Sequence, residues 1–373
     1  MINENRLLNE FIELVSVPCP SKDEKAEAEL IMDKLRALGL EPVMDKANEK
    51  TGGTCGNVWA YVKGTVPDAP TLLFEAHMDS VAPTTGTKVV RKDGVLYSDG
   101  TTILGGDDKS GVEGILEGIR LLLESGVEHG DIQILFTIAE EGGVNGSRCM
   151  DKSKLRAAVG YALDGEGAPG EIVVGAPGQY KYKISVHGKK AHGGLEPEKG
   201  INAVMIAAKA LAEVKRYGRI DEETTANIGI IAGGVATNVV PDLVTIEGDA
   251  RSRNNEKLVA IRDEIVNGIV AGVEKHGAKA EALVEHKYSS FLVAEDSRVV
   301  ALAKRSCELC SFTPNVTLTG GGSDANFINA AGVPCVILGT GMANVHTVEE
   351  YLKEEDLYNS ALMVYGILVA AAE

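Results

Sequence analysis

Positive charge is scarce in this chain. Its 37 Lys and Arg stand against 54 Asp and Glu, a formal net charge of -17. Nucleic-acid backbones and anionic membrane surfaces are held by Lys and Arg, so partners of both kinds are excluded as expectations. No apolar run is long enough to span a bilayer, and the N-terminus has no basic stretch followed by an apolar one. A cytoplasmic location is therefore expected. Cysteine is sparse too: Cys19, Cys55, Cys149, Cys307, Cys310 and Cys335 form no framework. Cys307 and Cys310 make a CxxC, but inside the helical pattern Val299 to Leu309 and with no second pair. Reduced structural thiols are expected rather than a zinc or redox motif.

What is present is a chain of 373 residues, 44% hydrophobic, long enough for two domains. Leu7, Phe11 and Leu14 predict a first helix, stopped by Pro18 and Pro20. Ser21 and Glu24 have the spacing of a capping box before a second helix through Ile31, Leu35 and Leu38, with Gly39 as its stop. Apolar strands are predicted at Asn57 to Val62, Thr71 to Ala76, Ile132 to Ala139 and Ala157 to Leu163. Between the second and third, Gly105-Gly106-Asp107-Asp108-Lys109-Ser110-Gly111 opens a helix with Val112, Ile115, Leu116, Ile119, Leu122 and Leu123 on one face. Gly165 to Gly170 matches GxGxxG, yet the β-branched run after it denies the helix that a dinucleotide site requires.

From Gln179 the pattern becomes β-α-β-β-α-β. Strands are predicted at Tyr180 to Val186, Ile228 to Ile231, Leu243 to Asp249 and Lys279 to Tyr288, with helices at about Gly200 to Arg216 and Asn255 to Lys275. That order is ferredoxin-like. Parallel α/β grammar then resumes with a helix at Val299 to Leu309, a glycine loop Gly320 to Asn326 opening another, a strand Pro334 to Leu338 and a closing helix Leu357 to Ala372. The expected division is 1–177 and 290–373 for the first domain, with 178–289 inserted as a second.

Three apolar strands run into His77, Glu140-Glu141 and Asp164. In open parallel sheets, sites form at the carboxyl ends of strands. With Asp107 and His346 these residues supply two imidazoles and three ligating carboxylates, a donor set suited to zinc or a similar divalent ion. One shared acid would leave each of two metals three protein ligands. Metals roughly 3.5–4 Å apart can hold a hydroxide between them. Asp79, two residues past His77, is placed to orient that ring. Glu140, next to Glu141 but pointing differently, is left free as a general base.

His77-Met78-Asp79, Gly105-Gly106-Asp107-Asp108-Lys109, Glu140-Glu141-Gly142, Leu163-Asp164-Gly165 and His346 together resemble the co-catalytic zinc metallopeptidase family, in order and over nearly the whole chain. The resemblance is to its peptidase T-like branch. It implies an α/β zinc exopeptidase domain with a mixed, largely parallel sheet and an inserted ferredoxin-like α+β lid. It further implies that Asp107 bridges two metals, His77 and Asp164 completing one site and Glu141 and His346 the other. Glu140 would be the general base, Asp79 the acid behind the His77 ring, and the Asp107–Asp108 peptide cis. His192, Asn238 and Arg251 look like lid residues that meet substrate, and Ser323 a further contact. The expected activity is hydrolysis of short peptides, as an aminopeptidase on tripeptides. The alternatives are an N-acyl amino-acid deacylase or carboxypeptidase, or a metal-loaded binding protein without turnover. The expected cofactors are two zinc ions, with cobalt or manganese as substitutes, and a homodimer through the lid is the expected assembly.

Overall fold

Apolar runs bounded by glycines and acids settle into strands buried on both faces, and these build a central sheet. The computed structural model describes residues 2–67 and 69–373. Ile132–Thr137, Leu72–His77, Val159–Gly165 and Cys335–Gly339 lie side by side and parallel at the centre. Every residue of Leu72–His77 and Ile132–Thr137 is buried, as expected where helices cover both faces. Val58–Val62 and then Val43–Met44 extend one side antiparallel. On the other side Glu171–Val173 adds antiparallel and Asn315–Thr317 parallel to it. The sheet is thus mixed and largely parallel, as the sequence implied.

The chain divides into two units, Met1–Gly175 with Leu292–Thr319 and Ser323–Glu373, and Ala176–Phe291 with Gly320–Gly322. In the second unit a five-stranded antiparallel sheet runs Gly218–Arg219, Thr224–Gly233, Leu243–Ser252, Gly178–His187, Lys279–Tyr288. Helices Ala203–Ala212 and Asn255–Lys275 cover one face, over a core that includes Tyr182, Ile184, Ile246 and Ile265. This is the expected ferredoxin-like order. The first of these helices is shorter than predicted because Lys215, Arg216 and Tyr217 offer no face to the core and are exposed.

The helix Gly106–Ser125 departs from the simple amphipathic pattern. Residues 106–122 are buried on every side, whereas Leu123 is 39% exposed. The cause is its position, packed against the sheet and against helices Glu4–Ser16 and Glu354–Ala372. Two glycines make that approach possible. A Cβ on Gly111 would stand 2.2 Å from the Leu163 carbonyl oxygen, and one on Gly118 would stand 2.7 Å from the Val364 side chain. The expected capping box does not form either. Helix Lys25–Ala37 begins without a side-chain cap, because the Ser21 hydroxyl is given to Asp79 and the Glu24 carboxylate accepts from the Lys22 and Ala139 amides.

Gly118→Ala should cost about 1–3 kcal/mol by overpacking against Val364, measured as a lower denaturant midpoint with unchanged m-value; an unaltered midpoint would show that the helices can separate freely. Glu27 supplies a second test. It is fully buried and neither carboxylate oxygen has a hydrogen-bond partner, and burial pushes its carboxyl from 4.5 up to about 8. The folded chain therefore keeps a proton that the unfolded chain loses. This contribution is complete below 4.5 and disappears as pH rises through about 8. In Glu27→Gln, the decline in unfolding free energy between those pH values should be shallower than in the unsubstituted protein. Equal slopes would remove Glu27 as the source.

Candidate metal centre

The parallel register brings the strand ends together. His77 pairs with Thr137, and Glu75 with Ala162, so the residues just beyond them emerge along one edge. His77 is the last residue of its strand, and Asp164 is next to last in Val159–Gly165. Glu140 and Glu141 follow Ala139, which takes a left-handed φ of 51°. Asp107 and Asp108 sit at the head of Gly106–Ser125, joined by a cis peptide and with non-helical angles. His346 lies in the turn between Met342–Ala343 and Tyr351–Lys353, with a φ of 65° and with Asn344 at 53°. Left-handed geometry costs such residues of the order of 1 kcal/mol. The Thr347 hydroxyl helps to hold it by donating to the Asn344 carbonyl at 2.8 Å.

All five expected ligands converge. His77 Nε2 is 3.0 Å from Asp107 Oδ1 and 3.8 Å from Asp164 Oδ1. On the other side of the Asp107 carboxylate, His346 Nε2 is 3.2 Å from Oδ2 and 2.9 Å from Glu141 Oε2. Asp107 thus faces one imidazole with each oxygen. His77, Asp107 and Glu141 form one grouping of metal-ligand geometry, and His77, Asp108 and Asp164 form another. Both Asp108 oxygens, however, already accept the amides of His77 and Gly111 at 3.1 Å.

Asp79 is completely buried and serves more partners than the sequence suggested. Its carboxylate accepts the amides of Glu140 at 2.9 Å and Glu141 at 3.2 Å, together with the Ser21 hydroxyl. The His77 ring is oriented chiefly by the Asp79 main-chain oxygen, 2.9 Å from Nδ1, while the carboxylate stands 3.6 Å away. One residue therefore fixes a ring and the Glu140-Glu141 turn at once.

Electrostatics show what the pocket is suited to hold. Burial drives the Glu140 and Asp108 carboxyls well above the ordinary range and Asp164 up to about 7, with neighbouring acids adding to it. Hydrogen bonds to Asp107 and Glu141 hold His346 up at about 10. Burial opposes charge on His77, but its contacts with Asp107 and Asp79 raise it regardless. Asp107 is lowered despite burial, by the same two rings. Glu141 Oε1 is buried with no hydrogen-bond partner. An excess of oxygen donors, an orphaned carboxylate oxygen and two imidazoles aimed at one acid fit divalent cations, which would release the ring protons on binding.

Several contributors escaped sequence reasoning. Glu350, 1% exposed, accepts the amides of Gly105 at 2.8 Å and Asp107 at 2.9 Å, fastening the loop of Asp107 to the segment that carries His346. Asp324 accepts the hydroxyls of Thr137 and Ser147 beneath the strand ends. Its place in the glycine loop was visible, but its partners are distant in sequence. Ser323, which the sequence did single out as a substrate contact, is buried, and its hydroxyl bonds Asp164.

The other candidates lie in the second unit. His192 is exposed, and its Nδ1 accepts the amides of Gly194 at 3.2 Å and Leu195 at 3.1 Å, which leaves the ring proton on Nε2. Asn238 is held beside it, since its carbonyl accepts the Gly193 amide at 2.8 Å and Val239 pairs with His192. The Arg251 Nε donates to Asp249 at 2.9 Å.

The model of peptidase family M20/M25/M40 matches residues 73–370. An aminopeptidase PepT from Bacillus cereus has a structure similar to this chain, with TM-score 0.92, 42% identity and complete coverage of both chains. A tripeptidase from Staphylococcus aureus is similar at TM-score 0.95 and 38% identity, over 100% of this chain and 99% of its own. Peptidase T of Vibrio parahaemolyticus is 27% identical over 95% of this chain and 93% of its own length.

Glu350→Gln should weaken divalent-metal affinity about 10–100-fold, since its amide would turn an N–H toward one of the two amides it now accepts. Chelator competition checks this; unchanged affinity would mean that the loop is rigid without it.

Proposed function

The chain belongs to peptidase family M20/M25/M40, and we propose that it is a dinuclear metallopeptidase of the peptidase T type, removing the N-terminal residue from tripeptides and other short peptides. The observation that carries this reading is the double engagement of Asp107, one oxygen toward His77 and the other toward His346. Full-length similarity to an aminopeptidase PepT and to a tripeptidase supports the substrate class.

In this reading Asp107 is the shared ligand, with His77 and Asp164 on one side and Glu141 and His346 on the other. Zinc suits the mixed nitrogen and oxygen donors, and cobalt and manganese are plausible substitutes. The two ions, when bound, supply Lewis acidity that draws charge from the scissile carbonyl and acidifies water. Glu140, whose main chain Asp79 grips, takes the proton from the attacking water and delivers it to the leaving amine. Ser323 steadies Asp164. His192, with its proton on Nε2, offers a donor to the carbonyl oxygen as it becomes negative, and Asn238 and Arg251 contact the peptide.

The inserted unit acts as the lid and as a dimer surface. Strand Thr224–Gly233 exposes Ile230 and Ile231 at 55% and 53%, an edge that a second copy would cover. The cysteines are all free, which suits a reducing cytoplasm. No helix among the described residues is long and apolar enough to cross a membrane.

A substrate panel tests the reading. Free tripeptides should be cleaved with zinc, cobalt or manganese present, and blocking their amine should abolish cleavage. Preference for N-acyl amino acids would replace it with a deacylase. Glu140→Gln should keep its metal and lose about 10²–10⁴-fold in kcat; full turnover in that variant would remove Glu140 as the base.

A further inference from the structure

Lys109 follows the ligand loop, yet nothing in the reaction above uses it. It is 1% exposed and among the largest fully buried side chains of the protein. Burying an ammonium costs several kcal/mol unless its protons are taken up, and methionine would fill the same space without that cost. Its Nζ donates to the Met78 carbonyl and, at 2.7 Å, to the Ser80 hydroxyl oxygen. Ser80 Oγ in turn donates to the Asp107 carbonyl at 3.1 Å. The Cys19 thiol shares the Met78 carbonyl at 3.1 Å. The ammonium thus ties the turn Met78-Asp79-Ser80 back to the loop from which its own side chain springs.

That turn controls more than itself. Its middle residue, Asp79, holds the His77 ring by its main-chain oxygen and the Glu140 and Glu141 amides by its carboxylate. A shift of the turn would move His77, Glu140 and Glu141 together relative to Asp107. We propose that Lys109 is a positioning residue, a buried clamp that sets the register between the Asp107 loop and the Met78–Ser80 turn and so fixes the spacing of the metal ligands and the base. This rests on the two-metal peptidase reading for its catalytic consequence, but not for its consequence on metal binding. Ser80 is the relay in the clamp, because its Oγ touches both the Lys109 ammonium and the Asp107 carbonyl.

The test compares Lys109→Met, Ser80→Ala and the double variant. It reads metal affinity by chelator competition, kcat and KM at saturating metal, and thermal unfolding. Lys109→Met should lose about 10–100-fold in metal affinity and in kcat, the range found for groups that orient ligands, with KM within threefold of the parent. Ser80→Ala should show a smaller loss in the same two quantities, and the double variant should be no worse than Lys109→Met. A merely structural lysine would lower the unfolding temperature while metal affinity and kcat of the folded protein stayed within threefold, and that result overturns the proposal. So do losses that multiply in the double variant. Should Lys109→Met fail to fold, Ser80→Ala decides alone: unchanged metal affinity overturns the clamp. A parent protein that binds metal but cleaves no peptide would defeat the peptidase reading, and the affinity measurements would still judge Lys109.

Discussion

Carboxylates do not willingly share a buried pocket. Two like charges about 4 Å apart repel by about 4 kcal/mol at the effective dielectric of a protein site, and here Asp107, Asp108, Glu140, Glu141 and Asp164 crowd one sheet edge. Burial pushes Glu140, Asp108 and Asp164 up in pKa, and the two imidazoles hold Asp107 down. The arrangement is poised for cations, and the surrounding structure exists to keep the acids from moving apart. Parallel strands deliver His77 and Asp164 side by side, Asp107 turns toward the two imidazoles while Asp108 accepts backbone amides, and Glu350 pins the loop from behind.

The fold serves that constraint by rigidity rather than by loop adaptation. Gly106–Ser125 is buried through most of its length, and its glycines bring it against the strand that carries Asp164 and against the closing helix. The turn after Leu72–His77 is held at nearly every polar atom. Thr137 takes the Met78 amide, Cys19 and Lys109 the Met78 carbonyl, and Glu140, Glu141 and Ser21 the Asp79 carboxylate. Chemistry that requires ligands placed to a fraction of an ångström is well served by groups whose own positions are overdetermined.

The grouping of acids and imidazoles was legible in the sequence because most of its members lie where strands end. A buried strand is an apolar run, and His77, Glu140-Glu141 and Asp164 each interrupt one; the helix after Asp107 announced itself by its spacing. The supporting groups were hidden for a physical reason. Ser21 and Glu24 have the spacing of a helix cap, but a buried carboxylate and a strained turn nearby compete for the same hydrogen bonds and win. Glu350 looks like one of two acids after His346, and only tertiary packing shows which of them is buried. Leu123 kept the helical period but lies past the point where the helix leaves the core.

Anomalous diffraction from crystals of the zinc-loaded protein measures the central claim directly. Two zinc peaks are predicted, both within bonding distance of the Asp107 carboxylate, one also touching His77 and Asp164 and the other Glu141 and His346. A single peak at full occupancy, or two that do not share Asp107, would contradict it.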